Sequence, residues 1–225
     1  MPGRHKLAGP TPVAWLSLIL LLGVSLPAHP APVPSLDAGD LAQGPYSSMH
    51  MLLKKTFLRI SVANIDVRFD KPAQGRFVEL ARGQVYSDAL AQQLAPVAIS
   101  AARAVVQMQF LRDVSLDRWM GVVRDNLEQA RRAGLITREL EQQVSQGLPQ
   151  WFAPMRDRGY LKGDRLLYAV TPEALRTVVV SAGGQVLIDR SDTEQGVRRV
   201  VLPSYFAPGS DLREPLLRSL FEVAR

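Results

Sequence analysis

The chain has 225 residues, 47% hydrophobic and 21% charged, with a net charge of +6, no cysteine and three histidines. A globular composition without thiols excludes thiol catalysis, iron–sulfur ligation, thiolate zinc sites and disulfide staples, so packing alone must hold the fold. Two of the histidines, His5 and His29, precede the domain, and His50 alone supports neither a histidine metal site nor a Ser-His-Asp relay.

The N-terminus reads as a secretory signal over residues 1–28. Arg4, His5 and Lys6 precede the apolar run Ala14–Leu26, and small residues and prolines follow. At about 1.5 Å per residue that run covers roughly 20 Å, short of the ~30 Å hydrocarbon core, so export to the periplasm is expected over a permanent anchor, with a tethered form as the alternative. Residues 29–45, rich in Pro, Ala and Gly, read as a flexible leader, and residues 46–225 as one domain.

The domain opens with a short strand in SSMHMLL, on which His50 is a strand residue, and a long β pattern, TFLRISVANIDVRF. Leu58, Ile60 and Val62 share one face; beyond Ala63-Asn64 the apolar set becomes Ile65, Val67 and Phe69, on the other. Side chains alternate strictly along a strand, so the slip demands a bulge or a change of partner. Before the slip the opposite face carries Phe57, Arg59, Ser61 and Ala63, which is either simply solvated or a place where a guanidinium and a hydroxyl two residues apart meet a polar group. Residues 70–84 read as turn-rich around a short apolar patch. Ser87 caps a helix over Asp88–Leu94 that Pro96 ends. Val105–Arg112 alternates as a half-buried strand.

Two helices follow. Ser115 caps the first, with Leu116, Trp119, Met120, Val123, Leu127 and Ala130 in one stripe, Asp117 in its first turn, Arg131 and Arg132 in its last, and Gly134 beyond. Thr137 caps the second, which turns Leu140, Val144, Leu148 and Trp151-Phe152 inward until Pro149 kinks or ends it. Strands RLLYAVT and LRTVVVS come next, then a hairpin at Gly183-Gly184 and VLID. A last amphipathic helix starts at Asp211. The order specifies an α+β fold, an antiparallel sheet with helices packed on one face. The arginines are scattered among Asp and Glu, without the basic face and aromatic partners that nucleic acid requires; weak association with an anionic membrane surface is the most the charge implies.

Several strings in this order resemble the chalcone isomerase-like family: LLKKTFLRISVANIDV its core strand, VQMQFLRDVSLDRWMGVVRDNL its strand-then-helix unit, KGDRLLYAVTP with the Gly-Gly turn its hairpin, and LPSYFAPGSDLREPLLRSLF its closing segment, in which a short loop leads to a helix. The resemblance spans about residues 48 to 222. It implies an open-faced β-sandwich with a cleft between sheet and helices. In the plant enzymes of the family a phenolate attacks an enone in that cleft, aided by an arginine, a threonine, a tyrosine, a lysine and an asparagine. Laid on this chain without gaps, the threonine falls on Ser61, the asparagine on Asn126, the tyrosine on Trp119 and the lysine on Val122, while the arginine falls near Met49. Trp119 and Val122 supply no phenol and no ammonium, and loss of one placed donor costs roughly 10²-fold or more in rate, so efficient flavanone formation is not expected.

A second branch of the family binds fatty acids without catalysis, a basic residue and a hydroxyl holding the carboxylate. By that resemblance Arg59 and Ser61 hold an anionic head and Trp119 and Val122 form an apolar wall, with plain core as the other reading of Trp119, while Asn126 is a further ligand-binding candidate or else a helix residue that is solvated or bonded to a loop carbonyl. The expected ligand is an apolar, anionic small molecule such as a fatty acid, with no cofactor and no metal. The alternatives are an isomerase of the intramolecular-lyase type acting on an enone, and a structural or partner-binding envelope protein with side chains filling the cleft.

Overall fold

A computed structural model describes residues 41–55 and 60–222. The signal, most of the leader, Phe57 and Arg59 therefore lie outside the described residues.

Strands β1 (Ser48–Lys55), β2 (Ile60–Phe69), β3 (Ala104–Phe110), β4 (Arg165–Val170), β5 (Leu175–Val180) and β6 (Val186–Asp192) form one six-stranded sheet in sequence order, every neighbouring pair antiparallel. Helices α1 (Lys71–Ala81) and α2 (Asp88–Ser100) are inserted between β2 and β3. Helices α3 (Leu116–Arg132) and α4 (Arg138–Trp151) stand between β3 and β4. After β6 come α5 (Gln195–Arg198), α6 (Val201–Phe206) and α7 (Arg213–Ser219). The main core lies between the helices and one sheet face; Leu167, Val178 and Val180 form a small separate cluster. On β2 the alternation is clean, with Ile65, Val67 and Phe69 buried and Asn64, Asp66 and Arg68 exposed.

The phase slip is a bulge. Leu53 pairs with Ala63 but Lys54 pairs with Ser61, so Val62 is the extra residue of β2. A second irregularity, Val179 on Ile188 but Val180 on Val186, leaves Leu187 extra in β6.

Four elements differ from the expectation. Residues 71–81 are a helix, not a turn-rich patch: Asp70 caps it, its Oδ1 accepting the Ala73 N–H at 2.9 Å, and Ala73, Phe77 and Ala81 bury one side at helical spacing. Pro72 reads as a breaker but stands in the first turn, where its missing N–H has no partner to lose. Helix α2 runs through Pro96 to Ser100. Pro96 and Gln92, whose carbonyl it strands, are both exposed, so water serves that oxygen while Leu94, Ala95 and Ala98 hold the helix to the core. Finally, VLPSYF is a helix whose residues are all buried, and α7 begins at Arg213 rather than Asp211. A short segment buried on every side and containing proline has no 3.6-residue rhythm to reveal it.

The two ends of the sheet are packed differently. Over β2, Phe69 meets Phe77 edge-on at 5.2 Å and Phe206 at 6.1 Å between ring centroids, a solid aromatic layer. Over the β3–β6 end, under α3, α4 and α6, the layers stand apart and enclose a hollow.

Candidate functional site: a cavity between sheet and helices

The hollow has a volume of about 310 Å³, at the small end of the range for small-molecule pockets. Its floor is the inward phase of the strands: Met108 and Phe110 on β3, Tyr168 on β4, Leu175 and Thr177 on β5, Ile188, Arg190 and Asp192 on β6. Its roof is the inner edge of α3 and α4 with α6: Trp119, Val122 and Val123, then Val144 and Leu148, then Val201 and Tyr205. Most of this wall is aliphatic or aromatic, which suits an apolar guest.

Of the residues singled out from the sequence, Trp119, Val122 and Asn126 line this cavity, side by side on α3. Trp119 is also part of an aromatic cluster, 4.5 Å from Phe152 and 5.4 Å from Tyr160, with Tyr160 stacked on Phe110 at 4.1 Å. Asn126 Oδ1 accepts a hydrogen bond from Ser210 Oγ at 3.4 Å, which ties α3 to the loop before α7. Ser61 is half-buried but is not part of the wall; the bulge turns its neighbour Val62 there instead. Arg59 lies outside the described residues, so the geometry of the Arg59–Ser61 pair is not described.

Charge enters the wall elsewhere. Arg112, just past β3, and Arg118, in the first turn of α3, both line the cavity and are exposed at its rim. Neither guanidinium has an ion-pair or hydrogen-bond partner among the described residues. At the β6 end Arg190 is already engaged: its Nε donates to Asp192 Oδ2 at 2.9 Å, its Nη2 donates to Oδ1, and its Cζ lies 4.3 Å from the centroid of the Trp151 ring. One end of the hollow thus carries two guanidiniums free of ion pairs, with the Asp113 carboxylate also in the wall there, and the other a neutralised pair.

The floor also carries hydroxyls. Tyr168 pairs directly with Thr177 across β4 and β5, and Thr177 with Arg190 across β5 and β6, so the three side chains form one rung. Tyr205 descends from α6 toward them. Burial pushes the phenols of Tyr168 and Tyr205 above the ordinary tyrosine range, so both stay protonated and able to donate. Sequence reasoning passed over these groups, yet a signal existed: Tyr168 falls in the inward phase with Leu166 and Val170, and Thr177 in that of Leu175 and Val179. A polar residue on the buried face of a strand is an anomaly worth a chemical question.

No protein-family model matches the sequence, and no curated protein matches it. Among solved structures the chain is similar to the fatty-acid binding protein AtFAP1 of Arabidopsis thaliana, with a TM-score of 0.50 and 14% identity over 78% of this chain and 88% of that one. The fold is chalcone isomerase-like. At that identity the likeness is one of fold. Within this chalcone isomerase-like fold, the positions at which the resemblance expected a tyrosine and a lysine are wall positions of the cavity, filled by Trp119 and Val122.

Proposed function

We propose that this protein binds a fatty acid or a similar apolar anion in the hollow between sheet and helices, as a carrier or sensor and not as an efficient flavanone-forming isomerase. The cavity carries the reading: a partly open space of about 310 Å³ with a largely apolar wall and two guanidiniums free of ion pairs at its rim. Burying an alkyl chain yields ~0.8 kcal/mol per CH₂, enough for useful affinity with no catalytic machinery, and Arg112 and Arg118 are placed to receive a carboxylate. The similarity of fold to a protein described as fatty-acid binding supports the same reading. The basic-then-apolar start of the sequence supports export; fractionation of the native host tests it, and recovery of the protein in the cytosolic fraction alone would rule export out.

Two of the three tryptophans, Trp119 and Trp151, line the cavity, so titration with dodecanoate is expected to change intrinsic fluorescence in a saturable way. The double variant Arg112→Ala/Arg118→Ala is expected to weaken dodecanoate roughly tenfold to a hundredfold while leaving dodecanol binding nearly unchanged. Absence of saturable binding by dodecanoate would overturn the lipid reading. Equal affinities of parent and double variant would remove these arginines from it.

A further inference from the structure

Thr177 and Tyr205 are 6% and 7% exposed, and both belong to the cavity wall. Tyr168 is surrounded by protein yet keeps accessible surface, because that surface faces the hollow. None of the three hydroxyls has a hydrogen-bond partner among the described residues, and none is sealed from the cavity as the Tyr160 hydroxyl is. A hydroxyl that a purely apolar chain covers without offering a partner is unfavourable, and a wall built only for an alkyl chain has no use for three of them at one place. Phenylalanine and valine fill the same volume without that penalty.

We propose that the ligand carries a neutral oxygen function, a hydroxyl or a ketone, toward the far end of its apolar chain, and that Thr177, Tyr168 and Tyr205 bind it. The inference rests on the fatty-acid reading of the cavity and adds the subclass of ligand: an oxygenated acyl chain. Two hydroxyls rise from the floor on adjacent strands and one descends from α6, so the oxygen is approached from both sides. The tyrosines donate; the threonine donates or accepts, which serves a ketone and an alcohol alike. A second carboxylate is not served, because the nearest guanidinium, Arg190, is held by Asp192 and the negative charge of Asp192 stands beside it. Geometry fixes the position along the chain. The β3 partner of Tyr168 is Val106, which stands four residues from Phe110 at the rim end. At about 3.3 Å per residue the hydroxyl rung lies roughly 13 Å inward, near the tail of a twelve-carbon acid whose carboxylate sits at Arg112 and Arg118.

The test compares dodecanoate, its derivatives hydroxylated at C10, C11 or C12, and dodecanedioate on the full-length protein, by calorimetric or fluorescence titration. At least one hydroxylated acid is expected to bind about tenfold or more tighter than dodecanoate, and the diacid to gain nothing. In Thr177→Val and Tyr205→Phe, which keep shape and volume, the preference is expected to shrink toward unity while dodecanoate itself binds as well or better; thermal melts verify folding. If dodecanoate binds but no hydroxylated acid binds tighter, or if the preference survives in both variants, the oxygen site is wrong and the fatty-acid reading stands. A gain for the diacid exceeding that for the hydroxy acids overturns the neutral-oxygen claim. If none of these acids binds, the fatty-acid reading falls and this inference with it.

Discussion

Asp164 has no exposed surface, yet it is one of the best-partnered side chains in the molecule. Its carboxylate accepts Arg158 Nη1 at 2.7 Å, the Leu161 N–H at 2.8 Å and the Ala182 N–H at 3.0 Å, pinning the loop before β4 to the turn after β5. Gly163 beside it has φ +91°, and a Cβ there would stand 2.9 Å from that of Ala182, so the Gly-Asp pair acts as one unit. Asp164→Ala leaves a partly buried guanidinium and two N–H groups unserved and is expected to cost about 3–5 kcal/mol by urea denaturation; a loss below about 1 kcal/mol would show that the latch is not structural. Tyr160 is the opposite case. Its ring stacks on Phe110, but its hydroxyl is buried without a partner. Tyr160→Phe is expected to be neutral or stabilising by up to about 1 kcal/mol. Burial also pushes the Tyr160 phenol well above its ordinary value of 10.0. The unfolded chain ionises near that ordinary value while the folded one stays protonated. The unfolded state then binds fewer protons, and stability is full below about pH 10 and falls as pH rises above it. Denaturation curves between pH 8 and 12 are expected to show that alkaline decline, and Tyr160→Phe to lessen it, with Tyr168 and Tyr205 supplying the remainder. At this scale the sequence spoke unevenly. Asp164 stands out because Gly-Asp opens a strand and Thr177 because it is polar in a buried phase, whereas Tyr205 matters only once α6 brings it beside them.

Helices declared themselves by their ends and strands by their alternation. Ser115 and Thr137 accept the N–H groups of Arg118 and Leu140 as their spacing requires, and Gly134 takes φ +71° just past α3. The slip of apolar phase in β2 shows that an extra residue must exist; only the pairing with β1 shows that it is Val62 and that the bulge feeds the cavity wall. Elements whose punctuation misleads were the ones hidden: α1 behind Pro72 and Gly75, the end of α2 behind Pro96, and α6 behind Pro203 in a short segment buried on every side. For α1 the decisive residue is Asp70. One carboxylate oxygen caps the helix at Ala73 and the other accepts the Arg103 N–H at 2.9 Å, so a single side chain joins the start of α1 to the start of β3. Asp70 is 4% exposed, and Asp70→Ala removes a cap and strands a buried donor. The expected loss is about 2–3 kcal/mol, with amide exchange accelerated first in α1; uniform acceleration across the sheet would contradict a local role.

At the scale of the whole molecule, packing is divided between purposes. Where α1, α2 and α6 meet β2, aromatic rings fill the layer; where α3 and α4 cross β3–β6, the layer is left open. Apolar side chains that face a hollow forgo dispersion contacts, at a loss of stability that grows with its volume, and the proposed ligand would restore those contacts by filling it. Val122, half-buried on α3 and part of the wall, is the place to test the exchange. Val122→Trp puts an indole into the hollow and is expected to raise stability by about 1 kcal/mol while abolishing dodecanoate binding, the trade expected where a site rather than the fold set the local packing. The linkage makes the prediction sharper. Saturating dodecanoate stabilises the parent by RT ln(1 + [L]/Kd), about 2.7 kcal/mol at a hundredfold excess over Kd, and in the filled variant that ligand-dependent shift vanishes while the ligand-free melting temperature rises. A variant that melts lower than the parent and still shifts with dodecanoate would mean that the indole had been accommodated elsewhere and that the space beneath α3 is not where the chain binds its ligand.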